Sequence, residues 1–264
     1  MQIEGTGQWY APGTILSGAT GETLSLETLA ERLAQHRIIY IGEQHNRPEH
    51  HKVQLDLIRA LGRKVPELSV GMEMFDRGYQ KRLDRWSAGQ MDEDAFIEQV
   101  HWYANWRYDF ALYRDILTHI RSENIPLHAL NLPFHIPPKI AAGGLDSLLP
   151  EDSRHLPDII DTSVAEHRDY LREVFEGHHA MRRTRFEYFY QAQCTWEDTM
   201  AASVAETLGA STMVVLAGSG HIRFRYGIPE RAYRRVPVPY VTVIPVSTGE
   251  AIQLNAADYF WITK

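Results

Sequence analysis

The sequence is poor in cysteine, since Cys194 is the single one among 264 residues. One cysteine excludes an intramolecular disulfide, and it excludes every zinc or iron–sulfur site that is built from several thiolates. Cys194 stands within a helical pattern, where a lone cysteine usually packs as a small apolar side chain. We therefore expect Cys194 to be buried and to take no part in chemistry.

The sequence also lacks a long apolar run and a leader-like beginning. No stretch approaches the ~20 apolar residues that a membrane-spanning helix needs. The opening MQIEGTGQWYAPG has neither a basic segment nor an apolar core, so it does not resemble a secretory signal peptide. We expect a cytoplasmic protein with no membrane span. The alternative is a periplasmic protein or a membrane-anchored lipoprotein from which a signal segment has been removed.

Basic residues are too few to favour a nucleic acid as a partner. The chain has 27 Lys and Arg against 34 Asp and Glu, which gives a formal net charge of −7. Phosphate binding needs clustered Lys and Arg, and RRTR at 182–185 is the local exception to the acidic balance. The hydrophobic fraction of 44% is that of an ordinary globular protein.

Short apolar runs predict the strands of a sheet. Four of them, none with clean alternation, have the pattern of strands that are covered on both faces. They span residues 37–42, 68–73, 126–131 and 213–218. A fifth run, 240–246, is β-branched and carries Pro245, which indicates an edge strand or a strand end.

Helical patterns separate these strands. Asn46 is a plausible N-cap with Pro48 in the first turn, and apolar residues then recur at helical spacing as far as Gly62. Residues 110–120 have the same periodicity. Strands that alternate with helices predict an α/β fold with a mainly parallel sheet flanked by helices.

The spacing changes in the second half of the chain. Residues 133–144 form a turn-rich exit from the third strand, and helices are predicted over 158–176 and 184–208. No strand-like run lies in between. We interpret 133–209 as a helical insertion, or cap, that precedes the fourth strand and packs over one end of the sheet. The length fits a single α/β domain over 1–264.

Polar side chains follow four of the predicted strands. Glu43 and His45 follow the first, Glu73 ends the second, Asn131 ends the third and His221 follows the fourth. Ligands of open α/β sheets bind beyond the carboxyl ends of the parallel strands. Residues two apart on an extended backbone point the same way, so Glu43 and His45 should face one site. We expect these side chains to converge.

Such a set suits a divalent metal. Imidazole with carboxylate binds Zn²⁺, Mn²⁺ or Fe²⁺, and a water on that metal becomes a nucleophile at neutral pH. Glu43, His45, Glu73 and His221 are therefore candidate metal ligands and candidate catalytic residues. The alternative is that each is an ordinary hydrogen-bonded residue at the end of a strand.

Glycines accompany these polar residues. Gly42, Gly218 and Gly220 would let the backbone turn tightly or approach a ligand closely. The segment AGSGH at 217–221 invites comparison with the nucleophile elbow, G-x-S-x-G. Its flanking residues are alanine and histidine where that motif needs glycine, so the glycines are better explained by a turn.

A second cluster lies in the helical insertion. Tyr170, His178, His179 and Arg182 are close together in the sequence. Haem iron accepts Tyr or His, and arginine can hold carboxylates such as the haem propionates. The alternative is a solvated corner between two helices whose aromatic residues face the core.

Several motifs, in this order along the chain, resemble the ChaN-like family, the haem-binding uptake branch of the Tiki superfamily. The motifs are YIGEQHNRPEHH (40–51), GMEMF (71–75), WRYDFALYRDIL (106–117), HALNLP (128–133), GHH (177–179), QCTWEDTMA (193–201), LAGSGHIRFRYGIP (216–229) and DYFW (258–261). The resemblance runs from about residue 14 to the C-terminus, and GEQH and AGSGH are its most specific parts.

The resemblance implies an α/β core with helical additions, haem binding linked to bacterial iron acquisition and, for the family's namesake, a dimer that encloses haem. The wider superfamily includes metal-dependent hydrolases with two Glu and a Gly-x-x-His signature, which Glu43, His45, Glu73 and His221 match. We therefore expect a homodimeric protein that holds haem between the insertion and the sheet edge. A divalent-metal-dependent hydrolase, with Asn131 polarising the scissile group, is the alternative.

Overall fold

The structure is a computed structural model that describes residues 10–177 and 185–264. The strands in these ranges are β1 (Ile15–Ser17), β2 (Thr23–Leu24), β3 (Ile38–Glu43), β4 (Leu68–Asp76), β5 (Leu127–Asn131), β6 (Thr212–Gly218), β7 (Tyr240–Ser247) and β8 (Tyr259–Thr263). The α-helices are α1 (Leu26–Leu33), α2 (Pro48–Gly62), α3 (Gln80–Ser87), α4 (Glu93–Gln99), α5 (Trp102–Asn105), α6 (Arg114–Ser122), α7 (Ile136–Gly143), α8 (Pro150–Ser153), α9 (Ala165–Gly177), α10 (Phe186–Thr207) and α11 (Ile228–Arg235). None of these helices has the length and apolar character that crossing a membrane requires.

The eight strands form one sheet in the order β2-β1-β8-β7-β3-β6-β4-β5. The six strands from β8 to β5 are mutually parallel, and β1 and β2 are antiparallel at one edge. The predicted α/β fold with a mainly parallel sheet is therefore confirmed. Glu43, at the end of β3, pairs with Gly218 at the end of β6, so the carboxyl ends of the central strands meet at one edge.

Helices cover both faces of the sheet, which explains the apolar strands without alternation. Along β3, Ile39 and Ile41 point into a core that includes Leu57 of α2. Tyr40 points the other way, into a core that includes Val204 of α10. Each residue of β3 therefore packs into the core on one face of the sheet or the other. No position of the strand faces solvent, so apolar residues occupy consecutive positions.

Of the two alternatives for 240–246, an edge strand is wrong, whereas Pro245 does lie near a strand end, two residues before β7 ends at Ser247. Strand β7 lies inside the sheet, between β3 and β8. Its pairing with β3 ends at Val243, so Pro245 lies where β3 requires no further backbone donor. On the other side Pro245 is aligned with Trp261 of β8, a strand that the sequence patterns did not predict.

Two predicted helix starts differ from the structure. Helix α2 has Arg47 as its N-cap, one residue after the predicted Asn46, and it begins with Pro48 as expected. The pattern over 110–120 contains a single turn of 3-10 helix before α6 begins at Arg114. The Asp109 carboxylate accepts from the Ala111 backbone N–H and caps that short turn.

The described part of 133–209 is helical, and no strand occurs in it. The predicted turn-rich exit over 133–144 is wrong, because α7 occupies most of it. Prolines 137 and 138 lie in the first turn of α7, where backbone N–H groups have no helical partner to lose. Helix α9 begins at Ala165, later than predicted, and α10 packs against α7 and β5. That 133–209 is an insertion within one domain stays a prediction.

Candidate functional site

Three predicted side chains meet at the carboxyl edge of the sheet around the start of the β6–α11 connection. Glu73 Oε2 accepts a hydrogen bond from the Gly218 backbone N–H at 2.6 Å, and its Oε1 lies 3.6 Å from His221 Nε2. His45 is near the same point, because a Cβ on Gly218 would lie 3.0 Å from His45 Cε1. The structure thus brings His45, Glu73 and His221 together.

The fourth predicted residue, Glu43, is buried behind His45. Its Oε1 accepts from the Tyr113 hydroxyl at 2.6 Å and lies 2.7 Å from His45 Nδ1. Its Oε2 accepts from Gln54 Nε2 at 2.9 Å and lies 3.3 Å from His51 Nδ1. Burial raises the pKa of Glu43, but the bonds to His45 and His51 outweigh burial and hold that pKa well below its usual range. Glu43 is therefore an anion that orients His45.

The ring of His51 carries both protons. Its Nε2 lies 3.2 Å from the His45 carbonyl oxygen, and its Nδ1 lies 3.3 Å from Gln54 Oε1 and 3.3 Å from Glu43 Oε2. All three atoms are acceptors, so both ring nitrogens must donate. Burial lowers the pKa of His51, and the Glu43 carboxylate more than offsets this and raises it. His51 is a buried cation that balances Glu43.

A second buried glutamate supports His221 in the same way. We call each pair of imidazole and buried glutamate, with the side chains that support the glutamate, a relay. His221 Nδ1 lies 3.1 Å from Oε1 of Glu197, which is fully buried on α10. The other oxygen of Glu197 lies 3.3 Å from His167 Nε2 and 3.5 Å from Arg231 Nε. Burial raises the pKa of Glu197, but His167 and His221 outweigh it and lower the pKa to about 2. Glu197 therefore orients His221 as Glu43 orients His45.

Arg231 supplies the cation of this second relay. It donates to the Asp198 carboxylate, to His167 Nδ1 at 3.3 Å and to Cys194 Sγ at 3.3 Å. Since His167 Nδ1 accepts, its proton lies on Nε2, which faces Glu197. Burial raises the pKa of the Cys194 thiol to about 12. The expected burial of Cys194 is confirmed.

Among the described residues, neither His45 Nε2 nor His221 Nε2 makes a hydrogen bond, and His221 Nε2 lies 3.6 Å from Glu73 Oε1. Within residues 10–177 and 185–264, no group of three His, Cys, Asp or Glu is arranged to hold a metal ion. Both oxygens of Glu43 are already occupied by hydrogen-bond donors. Asn131 does not face the site, because its Nδ2 donates to the Glu73 carbonyl and its Oδ1 accepts from the Leu132 N–H, each at 2.9 Å.

Two of the predicted glycines are required by close packing. A Cβ on Gly42 would lie 2.6 Å from Ser219 Oγ, and one on Gly218 would lie 3.0 Å from His45. Gly220 differs, because a Cβ there would meet nothing within 4 Å. Gly42 lets β3 approach Ser219 closely, and Gly218 lets β6 approach the His45 ring closely. Gly220 faces open space.

The sheet edge forms one wall of a cleft of about 510 Å³. The opposite wall comes from α9 and α10, and the cleft is lined by His45, Tyr108, Tyr170, Leu171, Val174, Phe189, Gln193, His221 and Arg223, among others. Tyr170, which the sequence assigned to a separate cluster, therefore shares a cleft with both imidazoles. His178, His179 and Arg182 lie outside the described residues.

Aromatic residues also surround His45. Its ring centroid lies 4.8 Å from that of Trp106 and 5.1 Å from that of Tyr108. Trp102, Trp106 and Tyr113 of the same aromatic segment are buried. Tyr108 instead reaches the cleft.

Several residues of the candidate site had not been predicted from the sequence. They are His51, Gln54, Tyr113, His167, Glu197 and Arg231. Three of them carried a usable signal, because His51 lies in the YIGEQHNRPEHH motif, Tyr113 in the WRYDFALYRDIL motif and Glu197 in the QCTWEDTMA motif. The others occupy helical positions whose local sequence gives no sign of the site.

Residues 29–232 match the family described as haem-binding uptake, Tiki superfamily, ChaN. The chain belongs to this family. No curated protein matches its sequence. Because the family match spans most of the chain, the recognition made from the GEQH and AGSGH motifs is confirmed.

Solved structures share the fold. ChaN of Campylobacter jejuni, described as binding haem cofacially, is 19% identical with a TM-score of 0.76, covering 94% of this chain and 95% of that chain. An erythromycin esterase, EreC, is 14% identical with a TM-score of 0.52, covering 89% of this chain and 78% of that one. The type III effector HopBA1 is 13% identical with a TM-score of 0.51, covering 90% and 93%. These similarities establish the α/β fold.

Proposed function

We propose that this chain binds haem in the cleft between the sheet edge and helices α9 and α10, as part of bacterial haem or iron handling. Membership of the ChaN family supports haem as the ligand. The observation that carries the proposal is the position of Tyr170, a half-buried phenol that lines the same cleft as His45 and His221.

The cleft has the chemistry that a porphyrin needs. Leu171, Val174 and Phe189 provide an apolar wall for the macrocycle. Tyr170 provides an oxygen that can bind ferric iron, and its hydroxyl makes no hydrogen bond among the described residues. Burial raises the pKa of Tyr170, and the nearby Arg223 acts in the opposite direction. Binding to iron would supply the positive charge that favours the phenolate.

Further haem contacts are proposed from the sequence alone. His178, His179 and Arg182 follow α9 directly and remain candidates for an iron ligand and a propionate partner. We also propose a homodimer, in which a second copy covers the open side of the cleft. ChaN of Campylobacter jejuni, which shares this fold, is described as binding haem cofacially.

A haem titration followed in the Soret region tests the proposal. We expect the wild type to saturate at about one haem per chain with a Kd in the micromolar range or below, and Tyr170→Phe to bind about 10-fold or more weakly with an altered Soret band, because phenylalanine offers iron no ligand atom. Tyr233→Phe, which changes an exposed tyrosine outside the cleft, is the control. Identical titrations of both variants would remove Tyr170 from the site.

The two imidazole–carboxylate relays favour a second candidate function, hydrolysis. His45 and His221 each have Nδ1 beside a buried glutamate and an Nε2 that makes no hydrogen bond among the described residues, which is the arrangement of a general base or of a metal ligand with its supporting carboxylate. A divalent metal between them, Zn, Mn or Fe, belongs to this candidate. Elemental analysis of the pure protein and turnover of a chromogenic ester test it, and the absence of both metal and turnover would contradict it.

A further inference from the structure

We propose that Arg223 is the residue that recognises the carboxylates of the bound porphyrin, so that charge at the porphyrin edge is required for tight binding. The proposal rests on the proposed haem function and assigns to it a specificity-determining residue. Arginine suits the task because its planar guanidinium can donate two parallel hydrogen bonds to one carboxylate.

Arg223 lies at the rim of the cleft. It lines the cleft together with Tyr170, and 29% of its side chain is exposed. A porphyrin whose macrocycle packs against the helical wall would point its carboxylates toward such a rim, since charged groups are costly to bury. The position therefore matches the amphiphilic character of the ligand.

The guanidinium of Arg223 makes no hydrogen bond to the described residues. Its partner among the described residues is Glu250, whose Oε2 lies 3.6 Å from Nη2, beyond hydrogen-bond distance. The other oxygen of Glu250 already accepts from the Ser247 N–H at 2.9 Å. The donors of Arg223 are therefore available to a ligand.

Neighbouring arginines are committed to protein carboxylates. Arg225 donates to Asp258, and Arg231 and Arg235 donate to Asp198. These arginines hold the helices and the last strands together. Arg223 is an arginine of the same basic segment, but it donates no hydrogen bond to Asp198 or Asp258.

The backbone turns directly after Arg223. Phe224 and Arg225 both have positive φ, 57° and 68°, which non-glycine residues rarely adopt in succession. This turn sends Arg225 to Asp258, while Arg223 stays at the cleft. It also packs the Phe224 ring against Tyr170, with centroids 5.4 Å apart. Strained conformations of this kind are concentrated at ligand sites.

The carboxylates near the cleft already have partners within the protein. Glu43 is paired with the His51 cation, and Glu197 lies beside Arg231. Glu73 accepts from the Gly218 backbone N–H. Arg223 is the permanent cation of the described cleft lining, and its ion pair with Glu250 at 3.6 Å includes no hydrogen bond, so its donors can still meet an anionic ligand.

Soret titrations with two porphyrins test this assignment, namely haem and haem dimethyl ester, which lacks both carboxylates. We expect the wild type to bind haem about 10-fold more tightly than the ester, the order of one charge-assisted hydrogen bond. Arg223→Gln should bind the two porphyrins about equally, and Arg223→Lys should keep part of the preference. Arg59→Gln is the control, because Arg59 is exposed on α2 outside the cleft and the exchange removes the same charge.

The outcomes separate this assignment from the function on which it rests. Saturable haem binding with an unchanged preference in Arg223→Gln would overturn the role of Arg223 and leave the haem function standing. Equal loss of preference in Arg59→Gln would also overturn it, because the effect would then reflect net charge. Failure of the wild type to bind either porphyrin would overturn the haem function, and the assignment of Arg223 with it.

Discussion

His50 and His51 are adjacent in the sequence but differ in charge, since His50 is neutral and His51 is a cation. His50 Nδ1 accepts a hydrogen bond from the Gln44 backbone N–H at 2.9 Å, so that nitrogen carries no proton, and its Nε2 lies 3.3 Å from Ser247 Oγ. His51 faces acceptors at both nitrogens and is a cation. The same residue type therefore serves as a neutral tether in one position and as the counter-ion of Glu43 in the next.

Acid should destabilise the fold through His50. Burial lowers the pKa of His50 to about 4, whereas the unfolded chain takes up this proton at about 6.5. The folded pKa is depressed, so this contribution is fully present above about pH 6.5 and is lost as the pH falls toward 4. We expect His50 alone to lower the free energy of unfolding by about 2–3 kcal/mol between about pH 7 and about pH 4.5.

Urea denaturation at both pH values measures this effect in the wild type and in His50→Gln. The glutamine side chain offers an acceptor to the Gln44 N–H and does not titrate, so the variant should lose correspondingly less stability on acidification. Equal losses in the two proteins would place the acid sensitivity elsewhere.

Helices α9, α10 and α11 are joined through charges rather than through apolar contacts alone. His167 comes from α9, Glu197 and Asp198 from α10, and Arg231 from α11. All four side chains are at most 1% exposed. The cleft wall that carries Tyr170 is thus fixed to the sheet edge through the relay that orients His221. The position of the wall and the orientation of the imidazole depend on one buried cation.

Removing the Arg231 cation should lower the stability of the fold. We expect Arg231→Met to lower the free energy of unfolding by about 3–5 kcal/mol, because Glu197 and Asp198 would keep buried negative charge without it. Arg59→Met, on the exposed face of α2, should change it by about 0.5 kcal/mol or less. Urea denaturation of both variants at neutral pH gives the comparison. A loss as small for Arg231→Met as for the control would mean that the network does not join the three helices.

The sequence was sufficient to predict the strands from β3 to β7 and the edge at which their polar residues meet, but not β1, β2 and β8. Apolar runs without alternation are the direct consequence of helices on both faces, and polar residues at the ends of parallel strands must meet at one edge. Glu43, His45, Glu73 and His221 were predicted for that reason. Asn131 satisfied the same rule, but its amide groups bond to the backbone, which a sequence pattern does not reveal.

The rest of the site depends on how helices meet, and local patterns do not carry that information. Glu197 lies in the middle of α10 and His167 in the first turn of α9, and polar residues in helices usually face water. Their burial follows from the packing of three helices around Arg231. The sequence also placed Tyr170 in a separate cluster, because the distance from α9 to the sheet edge is set by the same packing.

Haem binding in this cleft, and not elsewhere on the molecule, is the claim on which the proposed function depends. Gly220 offers a way to block the cleft without disturbing the fold, since a side chain there would enter open space. Gly62 is a matched control at the end of α2, where a Cβ has no contact closer than 3.9 Å. The measurement is therefore a Soret titration of the wild type, Gly220→Trp and Gly62→Trp.

We expect the wild type and Gly62→Trp to saturate with similar affinity, and Gly220→Trp to bind haem at least about 10-fold more weakly, because the indole occupies the space of the porphyrin. Equal affinity in all three proteins would place haem outside the cleft. No saturable shift in the wild type would contradict haem binding itself.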